Sequence, residues 1–258
     1  FLTDLKKKLP MGRNIVIGPD HCNSGISFAC GSMGEILVYR KEEWFKVFIH
    51  ETFHSFGLDF SCVPLEDFKE KIKKLFPIES EFLLYESYTE FWATIMNCII
   101  TSFLTIDDMN DIEEFILYSV FCIEMEKIFS FVQCGKILCF MGLRYTDLYD
   151  NSSTSISVRK YLYKEKSNVF AYYIIKTILL NKYSNFINWC WIRNGNILEF
   201  KSNTKKLNDF YEYIEENYKN KDLVEHMHKG YNLYRKLKSK KVVISEDIGD
   251  NLRMTMIE

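Results

Sequence analysis

The chain has 258 residues, 47% of them hydrophobic, which is enough to build a full core and excludes a disordered chain. Lys and Arg number 33 against 35 Asp and Glu, and the formal net charge of −2 supplies no global field toward nucleic acid or anionic lipid. Eight cysteines (Cys22, Cys30, Cys62, Cys98, Cys122, Cys134, Cys139 and Cys190) show neither CxxC pairs nor a framework spacing, so reduced thiols in a cytoplasmic or other reducing compartment are expected.

In chain order, residues 14–40 read as β-structure. "NIVIG", "GISFAC" and "EILVYR" are short β-rich runs separated by the turn signals "PDHCNS" and "GSMG", with a hairpin expected at 31–34. No apolar leader with a small-residue cleavage site follows Phe1, so no signal peptide is expected. From Lys41 to Phe56 the period becomes helical, and Gly57 stands where a helix would end. A short charged helix is expected within 62–77, a long buried one from Glu79 to about Leu104, and further helix beyond Asp107 and Asp108 to about Phe140. The most apolar window, "FWATIMNCIITSFLTI", is too short and too polar to span a membrane. The polar "DNSSTSIS" at 150–157 reads as an exposed loop or lobe boundary, with helical patterns following at 158–182, 204–219 and 221–238.

The segment "FIHETFHSFG" at 48–57 carries two of the five histidines. On a helix, His50 and His54 project from one face and can offer nitrogens to a single tetrahedral ion about 2 Å from each. Glu51 lies roughly 100° further round, where a carboxylate can meet a metal-bound water without displacing a ligand. Further carboxylates arrive in "YESYTEFWA" at 85–93, on a helix so apolar that unpaired acids there would be costly. Cys62, the Cys134/Cys139 pair and the closely spaced His226 and His228 read instead as ordinary structural or surface residues.

A strand, an HExxH helix and a helix with acids, in that order, resemble the zincin metallopeptidases over residues 14 to about 100. "HETFHSFGLDF" departs from the metzincin pattern, because Phe60 occupies the third-ligand position and Asp59 falls one place early. "YESYTEFWA" resembles the ligand helix of the glutamate zincins, although Ser87 and Tyr88 depart from it. That resemblance implies Glu86 as the third ligand, Glu90 as the acceptor orienting a ligand histidine, and one Zn(2+) ion. Two imidazoles and a carboxylate would leave one position for water, whose pKa falls towards about 7 on zinc. Glu51 would then serve as general base in hydrolysing a peptide or protein substrate. A transition-state stabiliser is expected among His226, His228, Tyr172, Tyr173 and Tyr231, and "GISFACG" at 25–31 is the expected substrate-aligning edge.

The expected fold is α+β and zincin-like, a small N-terminal antiparallel or mixed sheet packed on the HExxH helix and followed by a mainly helical remainder. Residues 1–105 would form the catalytic core and 106–258 a helical lobe completing the cleft, with a break at 150–157 as the other boundary. No nucleic-acid or membrane partner is expected. A second expectation comes from "YRKEEWFKVFIHETFHSFG", which is similar to proteins of large DNA viruses and implies a virion-associated structural or interaction protein of little or no activity.

Overall fold

The computed structural model describes residues 2–12, 15–28, 34–239 and 249–258. It is mainly helical with one small antiparallel sheet, an α+β chain. Strand β1 (Gly25–Ser27) pairs with β2 (Ile36–Val38) in the register Gly25 to Val38. The hairpin expected at 31–34 lies outside the described residues except for Gly34.

Of the first expected strand, the described residues 15–18 form no ladder. Ile17 makes only an isolated parallel bridge to Glu165, and Pro19–Cys22 closes a single helical turn, α1, with proline at its start. Ile17 is completely buried, so the apolar run there seats one side chain in the core without building a ladder.

The HExxH segment forms α2 (Trp44–Ser55), followed by α3 (Glu66–Leu75), α4 (Tyr85–Thr105) and α5 (Ile112–Met141). Helix α4 starts six residues later than its apolar pattern predicts. The approach from Pro77 is extended, burying Ile78, Phe82 and Leu84. Of residues 150–157, 150–152 are exposed and non-helical, and the rest is helix: Ser152 Oγ accepts from Ser155 N and caps α6 (Ser153–Leu162), so the serines start a helix. The expected helix at 158–182 is divided among α6, a π-helical stretch at Phe170–Ile175 and α7 (Lys176–Asn181). Helices α8 (Tyr183–Asn194), α9 (Thr204–Asn217) and α10 (Lys221–Ser239) complete the described elements.

One apolar cluster runs from Leu9 to Met254, with an aromatic centre where Phe60 meets Phe200 and Phe210. Helix α2 lies between the sheet and α4, which sets the histidine face against the acids of α4. Cys22, Cys98, Cys122, Cys134, Cys139 and Cys190 are free, but Cys62 is disulfide-bonded. Linear spacing gave no sign of that bond, because a disulfide depends on which side chains the fold brings together. No described helix is long and apolar enough to cross a membrane.

Helices α5 and α10 touch through glycines. A β-carbon on Gly230 would stand 2.3 Å from the Phe131 carbonyl oxygen, and one on Gly135 would stand 2.6 Å from Tyr231 Cα. Gly230→Ala should therefore force the helices apart and cost about 1–3 kcal/mol, read as a lower Tm in thermal denaturation. An unchanged Tm would contradict this crossing.

Glu165 gives a second test. Burial pushes its carboxyl up to about 8, against hydrogen bonds from Tyr163 Oη and Phe170 N that favour the anion. A folded pKa raised above the ordinary 4.5 contributes stability that is full below that value and lost as the pH rises through about 8. Glu165→Gln should show a smaller decline in denaturation free energy between about pH 5 and pH 8 than the parent chain. Equal slopes would refute the buried acid.

Candidate metal centre

Gly57 builds half of the site. Its left-handed backbone (φ 64°) ends α2, with Leu58 N donating to Phe53 O and Gly57 N to His54 O. The chain reverses there and returns Asp59 beneath the helix it has just left. Asp59 Oδ2 accepts from His54 Nδ1 and, at 3.1 Å, from Thr89 Oγ1, while Oδ1 takes Ser61 N and Ser61 Oγ.

Helix α4 supplies the other half. Glu86 and Glu90 are one turn apart and both face α2. Glu90 Oε2 accepts from His50 Nδ1 at 2.9 Å. Both histidines thus have their δ nitrogens engaged by carboxylates, which leaves the two ε nitrogens pointing at Glu86. His50 Nε2 lies 3.0 Å from His54 Nε2 and 3.1 Å from Glu86 Oε2, and His54 Nε2 lies 3.3 Å from the same oxygen. Asn168 Nδ2 donates to the other oxygen, Oε1, at 3.3 Å.

The donor set fits a cation. With Nδ1–H of each imidazole donating to an anion, each Nε2 presents a lone pair, and the two meet a carboxylate oxygen that also carries only lone pairs. Three acceptors converging in a buried space repel one another unless a proton or metal ion lies between them. A tetrahedral ion about 2.0–2.1 Å from each ligand places ligand atoms roughly 3.3 Å apart, close to the three separations found.

The titration of the side chains follows the same geometry. Burial acts to lower the His54 pKa, but the hydrogen bonds to Asp59 and Glu86 outweigh it and raise the value to about 10. For His50 burial is likewise outweighed by Glu86 and Glu90, and the direction is again upward. Burial would raise the pKa of Glu86, and the two histidines bring it down to about 2. The same carboxylates that hold the imidazoles favour a proton on them, so a cation entering between the three side chains would compete with that proton.

Glu51 lies beside the triad on α2. Its Oε2 accepts from Ser27 Oγ of β1 at 2.6 Å. Strand β1 approaches so closely that a β-carbon on Gly25 would stand 2.7 Å from Glu51 Oε1, so glycine is the residue that fits there. His50, Glu51, His54 and Glu86 are only 6–8% exposed. A small cavity between β1 and α2 is lined by His50 and Glu51, with Tyr172 also on its wall.

The other expected stabilisers are placed elsewhere. Tyr173 Oη donates to Leu252 O at 2.6 Å. His226 Nδ1 lies 3.2 Å from Asn181 Oδ1 with its ring against Phe131, His228 is exposed beside Asn232, and Tyr231 packs where α10 crosses α5. Of the five, Tyr172 is the one beside the triad, its ring 6.0 Å from that of His50.

Three residues at the centre escaped the sequence reading. Asp59 misses the ligand register by one place, and the turn after Gly57 is the signal that it returns as a partner instead. Lys46 stands one turn before His50 on the same face, and Lys176 is the single charge in "FAYYIIKTILL". Both ammonium groups meet Glu90 Oε1, Lys176 at 3.3 Å. Burial acts to raise the Glu90 pKa, and Lys46 and Lys176 outweigh it and hold the carboxyl well below its usual range.

No protein family, curated protein or solved structure was found to match the chain. The site therefore has to be judged on its own geometry.

Asp59→Ala should weaken divalent-metal binding by about ten- to a hundredfold, since it frees His54 to rotate and change tautomer. Competition titration of the folded variant with a chromogenic chelator measures this. Affinity equal to the parent chain's would show that Asp59 does not orient the ligand.

Proposed function

We propose that the chain is a zinc-dependent metallopeptidase, with His50, His54 and Glu86 holding one zinc ion and Glu51 as general base. One observation carries this reading: three ligand atoms of the His50, His54 and Glu86 side chains lie within 4.8 Å of one another, two of them from an HExxH helix. The choice of zinc follows from two imidazoles and one carboxylate, the protein donor set of a catalytic zinc site.

Zinc, when bound, would lower the pKa of water and polarise a carbonyl. The protein's part falls to its own side chains. Ser27 Oγ steadies Glu51, whose carboxylate can take a proton from the attacking water and return it to the leaving amine. Tyr172 supplies a phenol that burial, foremost, and the Glu86 charge keep protonated, making it a hydrogen-bond donor toward a developing oxyanion. Among the described residues the sheet has two strands, so β1 keeps one edge without a strand partner, an arrangement that suits an extended peptide lying along it. Of the segment expected to do this, residues 25–28 are described and 29–31 lie outside the described residues.

A second reading is favoured by the burial of the site: a chain that binds metal for structural or interaction purposes, as in a particle component, would also keep its ligands under a tenth exposed. One experiment separates the two. The purified protein should carry about one zinc per chain, and Glu51→Gln should keep that zinc while lowering hydrolysis of a fluorogenic peptide library by at least about a hundredfold. Zinc retained with no hydrolysis by either form would select the structural reading, and a folded chain without zinc would sink both.

A further inference from the structure

The cluster beneath His50 extends to a part of the chain two hundred residues away. Lys176 Nζ divides its hydrogen bonds between Glu90 Oε1 and the Met254 carbonyl oxygen, the latter at 2.6 Å. Lys46 Nζ, which also donates to Glu90 Oε1, lies 3.9 Å from Met254 Sδ. On the other side of residue 254, Glu43 Oε1 accepts from Met254 N at 2.6 Å and Thr255 N at 2.5 Å, and Glu43 Oε2 pairs with Lys7 Nζ at 2.6 Å. Lys7, Glu43, Lys46, Glu90, Lys176 and Met254 are all 5% exposed or less.

Segment 249–258 makes one bridge to another stretch of chain, between Lys8 and Asn251. Side chains hold much of the rest of its backbone: Lys136 Nζ donates to Asn251 O, Tyr173 Oη to Leu252 O and Gln133 Nε2 to Arg253 O, while Glu126 accepts from Met256 N and Ile257 N. Such a segment is seated as a bound peptide would be, and each grip depends on the position of a side chain.

Three ammonium groups share two carboxylates here, so Lys176 depends on the Met254 carbonyl to complete its hydrogen bonds. If the segment leaves, Lys176 loses that acceptor. Glu90 is then drawn from its place, and the imidazole it holds is released with it.

We propose that Lys46 and Lys176 are positioning residues that join the metal-binding His50, through Glu90, to segment 249–258, so that metal binding and seating of the segment are one coupled equilibrium. The inference rests on the metal reading of the triad. Coupling between binding equilibria is reciprocal, so zinc should tighten the segment as much as the segment tightens zinc.

The test uses the full chain. Hydrogen–deuterium exchange with and without zinc should show amides of 252–257 slowed several-fold by the metal, while those of α9 stay unchanged. Lys176→Met should weaken zinc binding about ten- to a hundredfold and abolish that protection, whereas Lys176→Arg, which keeps the charge and both donors, should restore part of it. A merely structural lysine would lower Tm and leave zinc affinity in the folded variant untouched, which overturns the proposal. Zinc binding to the parent chain without slowed exchange at 252–257 also overturns it, and this arm decides the matter if the variants fail to fold. A parent chain that takes up no zinc is a different outcome, visible before any exchange is measured, and it removes the metal reading itself.

Discussion

A carboxylate on the far nitrogen of each histidine is the constraint from which the site follows. Neutral imidazole can carry its proton on either nitrogen, and the two tautomers face the world with opposite chemistry. Glu90 and Asp59 remove the choice by accepting at Nδ1, so both Nε2 atoms face Glu86. The fold has to bring four acids and two histidines together under nearly dry conditions, and each acid would be costly to bury without its partners. The lysines under Glu90, the hydroxyls around Asp59 and Asn168 on Glu86 are the means by which that cost is offset.

What could be read from the sequence was what local periodicity determines. The spacing of His50 and His54 and the apolar stripe of α2 are matters of helix geometry, and Glu86 with Glu90 is the same geometry one helix later. Asp59 was not legible as a partner, because its role depends on a reversal at Gly57 that brings it back to His54, while a pattern of ligand positions counts it one residue out of place. Lys176 and Met254 lie 126 and 204 residues from His50, and nothing in a local window links them to it. "NIVIG" differs for the opposite reason: its β-branched residues favour a strand locally, while the fold uses Ile17 as one buried side chain.

Burial serves two demands at the centre that pull against each other. Low polarity strengthens every hydrogen bond around the histidines and keeps water from competing. The same closeness limits what can reach Glu51, with β1 pressed so near that residue 25 has no room for a side chain. Organisation and closeness thus meet on this one three-residue strand.

The bridge between Lys8 and Asn251 has a consequence for how the molecule is made. Residues 7–9 must wait for 250–252, the kind of long-range closure that slows folding. The helix with both histidines is separated by about two hundred residues from the main-chain carbonyl of Met254, which Lys176 reaches beneath Glu90. Asp59, by contrast, stands five residues from His54 and orients it through a local turn. The two histidines of one helix thus rest on supports of very different reach, one made within a single turn and the other joined, through Glu90 and Lys176, to residue 254.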